Sequence, residues 1–395
     1  MKYLTKTIII LSAVSLFTDM ASEMLYPVMP VYLKSIGFSI FIIGILEGVA
    51  EATAGLSKGY FGKMSDLTGK RVPFVRIGYA LSAVSKPLFA VSVLPVWIFF
   101  LRTLDRFGKG IRTGARDALL SAESSRENKA KVFGFHRAMD TLGAVFGPLA
   151  ALIWLVNNPD DYQSLFLIAV IPGFLAITSS LLLKDKKAGV KKADPRQFSF
   201  FAFMKYWKTA PSAYRKITGG MLVFAVFNSS DVFLLLKAKE SGLNDSVIIG
   251  LYIFYNLIYS LTSFPMGILA DKAGLKRVFI SGLALFAVVY TGMAFSSDLW
   301  YYGIFFLIYG VYASATEGIS KAWISNMSAG NETATAIGTL TAFQSLSTMS
   351  ASFITGFIWY RFGSEAALLI SAAGTIAVMV YFTLLRSAGT DHIAE

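Results

Sequence analysis

The sequence contains the stretch Gly62-Lys63-Met64-Ser65-Asp66-Leu67-Thr68-Gly69-Lys70-Arg71, which returns in altered form as Gly267-Ile268-Leu269-Ala270-Asp271-Lys272-Ala273-Gly274-Leu275-Lys276-Arg277. Both copies hold an aspartate one helical turn after a glycine, and both end in a basic pair. Glycine permits tight turns and close contact between backbones, so each copy predicts a short turn between two helices. The register continues, since Lys131-Val132-Phe133-Gly134 aligns with Thr335-Ala336-Ile337-Gly338. We therefore predict two halves of like topology.

Apolar residues dominate the rest of the chain. The 395 residues are 55% hydrophobic and 15% charged, with a mean hydropathy of +0.59, whereas roughly 25% of residues are charged in an ordinary soluble domain. A helix needs about 20 mainly apolar residues to cross a bilayer. The apolar runs of this chain predict twelve such helices in two sets of six, over residues 7–30, 38–62, 74–94, 96–120, 131–155, 163–184, 215–237, 246–270, 276–296, 299–322, 333–359 and 364–386.

Basic residues alternate from one connection to the next. They are frequent at 63–76, 126–131, 184–192 and 272–277, and sparse in the connections between these. The positive-inside rule assigns the basic connections, and with them both chain termini, to the cytoplasm. We therefore expect a multi-pass protein of the inner (cytoplasmic) membrane, in contact with lipid. Its net charge of +12 then reflects orientation rather than the binding of nucleic acid.

The predicted helices divide the chain into three segments. Residues 1–184 form an N-terminal six-helix bundle, residues 185–214 a cytoplasmic connecting loop, and residues 215–395 a C-terminal six-helix bundle with a short cytoplasmic tail. Aromatic and basic residues over 198–208 are typical of a helix that lies on an anionic membrane surface. A solvated linker whose aromatic side chains pack beneath the bundle is the alternative.

Several classes of chemistry lack the residues they need. The chain has no cysteine and only two histidines, which argues against disulfides, thiolate catalysis and the common metal sites. Neither a phosphate-binding loop of the nucleotide-hydrolase type nor a glycine-rich dinucleotide-binding motif occurs. We therefore expect no metal, no cofactor and no enzymatic activity.

The duplicated stretches resemble the signature loop of the major facilitator superfamily, which follows the second helix of each half. The resemblance implies an all-α membrane protein with two pseudo-symmetric six-helix bundles, which moves a small solute by alternating access and is usually a monomer. In that family the aspartate of the loop helps to hold the halves together in the outward-facing state. The conformational-switch motif implied here consists of Gly62, Asp66, Gly69, Arg71, Gly267, Asp271, Gly274 and Arg277.

Two further motifs resemble signatures of proton-coupled efflux permeases in the same family. Residues 106–114, Arg-Phe-Gly-Lys-Gly-Ile-Arg-Thr-Gly, are similar to a pattern associated with proton coupling, although Lys109 stands where a glutamine is common. Residues 143–148, Gly-Ala-Val-Phe-Gly-Pro, are similar to the span-five motif of proton-exchanging exporters, although alanines replace its usual trailing glycines. Close helix packing with a proline kink is the alternative explanation of Gly143, Gly147 and Pro148.

Charged side chains within the predicted spans are the main candidate functional residues. Each costs at least ~2.5 kcal/mol at membrane depth on insertion scales, so it normally faces a wet cavity or a partner. Acidic pairs lie one turn apart on spans one and two, and Asp105 can pair with Lys109 at i,i+4. The set is either a lock that neutralises buried charge or a switch operated by protonation. The proton-coupling candidates are Asp19, Glu23, Asp105, Arg106 and Asp140, and the substrate-cavity candidates are Glu47, Glu51, Arg102, Lys109, Arg112, Asn228, Asp231, Tyr255, Asn256 and Gln344.

Three smaller predictions concern residues of spans five and ten. His136 and Arg137 lie near the cytoplasmic end of span five, where anchoring at the membrane surface is the alternative to a functional role, and the deeper Asp140 is a candidate partner for an arginine of span four. Glu317 and Lys321, at i,i+4, read as a gate or a local ion pair.

The favoured function is proton-coupled efflux of a small organic solute, with protons as the coupling ion. Uptake of an anionic metabolite or metal chelate is the alternative within transport, because span four offers several basic side chains to carboxylate or phosphate oxygens. A membrane-embedded lipid enzyme and a non-transporting sensor are remote alternatives. The lipid enzyme would leave the duplicated loop unexplained.

Overall fold

A computed structural model describes residues 4–26, 28–29, 32–33, 36–38, 40–159, 161–185 and 203–385. At residues 40, 41, 43–45, 47, 245 and 246 it describes the backbone alone. The described residues form helices and short connections, with no strand among them.

The first half of the chain contains seven α-helices among its described residues. A 3-10 turn at Arg126–Asn128 joins the fourth to the fifth. The helices are α1 (Lys6–Leu25), α2 (Ile40–Thr68), α3 (Val72–Leu88), α4 (Pro95–Ala122), α5 (Lys129–Asn157), α6 (Tyr162–Ile168) and α7 (Val170–Ser180).

The second half follows the undescribed residues 186–202 and begins with a short helix. Its described helices are α8 (Met204–Thr209), α9 (Ser212–Phe227), α10 (Val232–Glu240), α11 (Asp245–Ala273), α12 (Leu275–Phe295), α13 (Leu299–Asn326) and α14 (Thr333–Leu384).

Two of the predicted helices are interrupted in the structure. The range 163–184 is divided between α6 and α7, and the range 215–237 is broken at residues 228–231 between α9 and α10. The last two predicted ranges fall on either side of a kink at Gly363, where φ is +88°, so α14 consists of two helical stretches. That left-handed conformation is accessible to glycine at little cost, so the chain turns sharply there without a separate loop.

Within the part of the chain that the structure describes, eight helical segments are long and apolar enough to cross a membrane. Helices α2, α3 and α4 are not among them, although the sequence predicted spans there. Helix α3 has 17 residues, and α4 carries several charges, among them Arg102, Asp105 and Arg112, that are buried inside the bundle. Mean hydropathy along such a helix therefore underestimates how apolar its lipid-facing side is, because the charged side chains point into the bundle.

The outer surface is the inverse of a soluble protein's. Large apolar side chains are widely exposed, including Trp300 at 85%, Val96 at 82% and Phe353 at 78%. Charged side chains such as Asp117 and Asp140 are buried. A bilayer is the surrounding in which this distribution is stable.

The two halves meet along two equivalent seams. Within the first half α1 packs on α5 and α7, and α4 packs on α2 and α3; within the second half α13 packs on α11 and α12, and α14 on α9 and α12. Between the halves, α2 packs against α14 and α5 against α11. We call the end of the bundle that holds residues 69–71, 123–128, 274 and 327–332 the motif end. The candidate site lies between the seams.

The connecting segment is described only from Phe203 onward. Phe203 and Tyr206 are buried, with Phe203 packed on Gly59 of α2 and Tyr206 on Tyr214 of α9. These two aromatic side chains therefore pack beneath the bundle, whereas residues 198–202 lie outside the described range.

Candidate functional site

Asp66 connects the first half to the start of α14 in the second half. Its Oδ2 accepts hydrogen bonds from the backbone N–H of Thr335, at 2.7 Å, and from the Thr335 hydroxyl, at 2.8 Å. A carboxylate at a helix N-terminus satisfies free N–H groups and complements the helix dipole. Arg71 adds a second link, since its Nη2 donates to the carbonyl of Gly330 at 2.8 Å.

Asp271 makes the equivalent contact in the opposite direction. Its two carboxylate oxygens accept from the backbone N–H groups of Ala130 and Lys131, at 3.0 and 2.9 Å, where α5 of the first half begins. Each copy of the duplicated stretch therefore caps a helix of the other half.

Glycines bring the backbones together beside each aspartate. A Cβ at Gly62 would lie 2.5 Å from the carbonyl oxygen of Ala334, and one at Gly267 would lie 2.4 Å from that of Ala130. The glycines at 69 and 274 have φ of +64° and +99° and allow the chain to turn. The sequence repeat is thus also a repeat of contacts between the halves.

A network of charges also crosses between the halves. Nη2 of Arg137 on α5 lies 2.6 Å from Oε2 of Glu317 on α13, while its Nη1 donates to Asp140 at 2.7 Å. The Arg137 Nε donates to the hydroxyl of Tyr259 at 2.5 Å, and that hydroxyl donates to Glu317 at 2.7 Å. One guanidinium thus joins α5, α11 and α13.

A second bridge lies nearer the motif end. Lys321 Nζ of α13 is 3.1 Å from Asp117 of α4, and Asp117 also accepts from Arg116 at 2.9 Å. Glu317 and Lys321 are therefore not a local pair, since each bonds to the first half. Asp140 pairs with Arg137 of its own helix and accepts from the Ser15 hydroxyl, and Arg116 of α4 lies close enough to interact with it as well.

The expected pairing of Asp105 with Lys109 is wrong. Asp105 pairs with Lys86 of α3 at 3.2 Å, because its side chain points toward α3 while that of Lys109 is exposed. Arg112 also faces α3, donating to Ser82 at 2.7 Å and lying over the Tyr79 ring. Asp105 and Arg112 thus belong to the packing of α4 on α3.

Five of the predicted residues form a cluster farther from the motif end. Arg106 pairs with Glu51 at 3.1 Å, and Lys109 is close enough to Asp19 and Glu23 to interact with both carboxylates. Along helices that rise about 1.5 Å per residue, the cluster lies roughly 20 to 25 Å from the motif end. We call Asp19, Glu23, Glu51, Arg106 and Lys109 the central cluster.

Links to the second half reach the central cluster as well. The hydroxyl of Tyr252 donates to Glu23 at 3.3 Å, and Lys58 donates to Ser345 at 3.1 Å. Arg102 is buried on α4 and interacts electrostatically with Glu51. The side chain of Glu47 lies outside the described residues.

The predicted cavity residues of the second half are less concentrated. Asn228 and Asp231 lie at the break between α9 and α10, and Asp231 accepts from the Ser230 hydroxyl at 3.4 Å. Asn256 donates to the carbonyl of Tyr252 on its own helix, and Gln344 is half-buried. Tyr255 is 9% exposed and packs on Tyr259 and Tyr309. Tyr255 is thus mainly a packing residue.

The span-five motif packs α5 against α1. A Cβ at Gly143 would lie 2.4 Å from the carbonyl oxygen of Leu16, and one at Gly147 would lie 2.6 Å from that of Met20. Pro148 follows within the helix and is buried. This contact holds the face of α5 directly beside Asp19 and Glu23.

Several residues of the network were missed or misjudged from the sequence. Lys86, Arg116 and Asp117 were not singled out, although each is a charge inside or beside a predicted span. Anchoring at the membrane surface was an alternative for His136 and Arg137, but His136 is 4% exposed and its Nδ1 is 3.4 Å from the Ser12 hydroxyl. A stricter application of the cost of buried charge would have included all of them.

Comparison with known proteins identifies the family. The family model described as "Major Facilitator Superfamily" matches residues 11–254 and 217–393. An uncharacterized MFS-type transporter of Methanocaldococcus jannaschii, MJ1317, is 30% identical over 93% of each chain. The quinolone resistance protein NorA of Staphylococcus aureus is 27% identical over 43% of this chain and 44% of its own. The crystal structure of the human organic anion transporter MFSD10 shares the fold, with a TM-score of 0.80 at 15% identity over 95% of this chain and 98% of that one.

The match to the family model and the M. jannaschii relative agree with the duplicated loops and the two seams. The protein is an integral multi-pass membrane transporter and not an enzyme. The chain belongs to the major facilitator superfamily.

Proposed function

We propose that the protein exports a small organic solute in exchange for protons, by alternating access between two six-helix halves with twelve membrane crossings and both termini in the cytoplasm. One observation carries the proposal. Asp66 and Asp271 join the halves at the motif end, and the Arg137 network joins them between that end and the central cluster, whereas Glu51 and Lys109 of the central cluster remain exposed, with 49% of the Glu51 side chain accessible. This arrangement is a charged site closed from one end.

The central cluster contains the groups that proton coupling needs. Asp19 and Glu23 both face Lys109, and a carboxylate at this depth has a large energetic reason to be protonated or paired. Protonation of either carboxylate removes its attraction to Lys109. The lysine is then free to meet another partner, and the contacts between α1 and α4 weaken.

Helix α5 supports export as the direction of transport. Its glycine motif packs on the part of α1 that carries both carboxylates, and a Cβ at Gly143 would come within 3.0 Å of the Asp19 Cβ. A motif that resembles that of proton-exchanging exporters therefore contacts the proposed coupling residue. The partial similarity to NorA, named for quinolone resistance, supports the same direction.

Uptake of an anionic solute is the second candidate. Lys109 is exposed in the cluster, and Lys58 lies nearby, bonded to Ser345. Two lysines offer donors to a carboxylate or phosphate, and the MFSD10 structure is named as an organic anion transporter. The three carboxylates of the cluster favour the exporter, since they offset this positive charge.

The deciding experiment is solute-driven proton movement in proteoliposomes with an imposed pH gradient. We expect solute-dependent proton flux in the native protein and flux at the background level in Asp19→Asn, because the proposed coupling residue can then no longer take up or release a proton. Asp298→Asn, which changes an exposed carboxylate outside the cluster, is the matched control and should keep its flux.

A panel of cationic, neutral and anionic solutes, offered from each side, separates the two candidates. Proton-driven movement of anions in the inward direction would favour uptake. Solute flux without proton movement would contradict coupling to protons while leaving transport intact.

A further inference from the structure

A cavity of about 910 Å³ lies at the motif end, away from the central cluster. It is enclosed by the ends of α9, α11, α12, α13 and α14, together with residues 126 and 127 of the first half. Four cationic residues line it, against two acidic ones: Arg126, Lys216, Lys276 and Arg277, with Glu127 and Asp271. We call this cavity the basic pocket.

Four cationic residues against two acidic ones leave the lining with a net positive charge. Asp271 already accepts two backbone hydrogen bonds from the start of α5. Lys276 donates to the carbonyl of Leu385 at 2.6 Å and so closes the pocket against the end of α14. Lys216 and Arg277 are exposed. The pocket therefore presents at least two cationic side chains to whatever enters it, and anions are favoured.

The rest of the pocket lining is mostly apolar, with one buried polar side chain. Trp323, Ile217 and Ile280 line the pocket. Asn326 also lines it, and its Oδ1 is buried without a hydrogen-bond donor among the described residues. A buried acceptor without a donor is costly, so a ligand hydroxyl in this position would be stabilising.

The position of the basic pocket in the bundle indicates which kind of anion it binds. Lys216 lies in the first turns of α9 and Arg277 in the first turn of α12, so both are at the end of a membrane-spanning bundle, where lipid headgroups lie. Basic pockets between helix ends at the membrane surface are typical sites for anionic headgroups. We propose that the basic pocket binds the phosphate of phosphatidylglycerol, with its glycerol hydroxyl donating to Asn326.

Binding in the pocket is linked to the contact between the halves. Arg126 belongs to the first half, whereas Lys216 and Arg277 belong to the second. A phosphate held by both sets favours the arrangement in which the motif end is closed, since opening separates its ligands. This inference is independent of which solute is transported and in which direction.

The test is native mass spectrometry of the full-length protein in detergent with phosphatidylglycerol, phosphatidylcholine or inorganic phosphate. Phosphatidylglycerol should bind in preference to phosphatidylcholine, and Lys216→Gln/Arg277→Gln should weaken its binding about thirtyfold, since the variant removes two cations near the membrane surface and each contributes about fivefold to binding. Lys205→Gln/Lys208→Gln removes two exposed lysines of α8 that do not line the pocket, and it should leave binding within about twofold.

Two further measurements address the ligand and the fold. Asn326→Leu should reduce the preference for phosphatidylglycerol over phosphatidic acid, which lacks the glycerol hydroxyls. Lys216→Gln alone changes an exposed side chain, so a partial loss of binding in this variant would not be due to unfolding.

Equal binding of phosphatidylglycerol and phosphatidylcholine would overturn the proposal. Equal effects of Lys216→Gln/Arg277→Gln and of the control Lys205→Gln/Lys208→Gln would overturn it as well. Inorganic phosphate that displaces phosphatidylglycerol at comparable concentration would assign the pocket to a soluble phosphate compound instead of a lipid.

Discussion

Arg137 joins three helices across the boundary between the two halves. Each of its three nitrogens has its own partner, on α5, α11 or α13. The planar guanidinium can serve three acceptors at fixed angles, which a lysine ammonium cannot reproduce. The guanidinium is also 4.9 Å from the centre of the Tyr259 ring. The residue therefore combines neutralisation of Asp140 with attachment of the second half.

Loss of the Arg137 guanidinium should destabilise the protein more than loss of the Glu317 carboxylate. We expect Arg137→Gln to lower the free energy of unfolding by roughly 3 kcal/mol, because it leaves buried Asp140 without its ion pair. Glu317→Gln should cost less, since the Glu317 side chain is 44% exposed and Arg137 keeps Asp140. SDS-induced unfolding in mixed micelles, followed by circular dichroism, measures both. Arg361→Gln, at an exposed arginine, is the control, and a larger loss in Glu317→Gln would contradict this account.

At the scale of the helices, glycine determines which elements can touch. Helices α5 and α1 approach closely enough that the carbonyls of Leu16 and Met20 occupy the space of any added Cβ at residues 143 and 147. Helices α3 and α4 cross in the same way at Gly78 and Gly108. In a bilayer, where apolar burial between helices gives little driving force, such contacts supply packing that larger residues cannot.

The close contact between α1 and α5 leaves no room for a side chain at Gly147. We expect Gly147→Val to destabilise the protein by at least about 2 kcal/mol, because the added methyl groups force α5 away from α1. Phe146→Val, at a neighbouring side chain that is 43% exposed, should change stability much less. The same SDS titration compares the two, and equal midpoints would show that the helices can separate without cost.

At the scale of the whole molecule, the two halves hold each other by the same contact used twice. Asp66 caps α14 and Asp271 caps α5, each across the boundary between halves. Asp185 makes a chemically similar contact within the first half, accepting from the backbone N–H groups of Arg71 and Val72 at 3.0 Å. The chain therefore contains its own control for separating conformational from local effects.

We expect Asp66→Ala and Asp271→Ala each to raise the ratio of open to closed motif ends about fivefold, as a helix cap is worth about 1 kcal/mol. The double variant should show roughly the product, because the two seams share no partner. Spin labels at Lys70→Cys and Ala329→Cys, in a chain without native cysteine, report the distance by pulsed electron resonance. Asp185→Ala should leave the distance distribution unchanged, and a shift there equal to that of Asp66→Ala would argue against a role for the contacts between halves.

Composition and residue spacing alone predicted an all-helical membrane protein with duplicated loops, and the resemblance of those loops to the signature of the major facilitator superfamily added the prediction of transport. The helices and the loops follow from local properties: apolar runs long enough for a bilayer, and glycine with aspartate at fixed spacing. Spacing also brought Asp19 and Glu23 onto one face of α1, because positions one turn apart on a helix are neighbours whatever surrounds them. These features needed no knowledge of how the helices pack.

Only the tertiary structure decided which charges are partners. Asp105 bonds to Lys86 instead of Lys109, and Glu317 bonds to Arg137 instead of Lys321. Helical periodicity specifies the face on which a side chain lies, but the neighbour on that face depends on the crossing of two helices distant in sequence. Those crossings are set by backbone contacts at glycines such as Gly62 and Gly147, where removal of a side chain in one helix allows a particular approach of another.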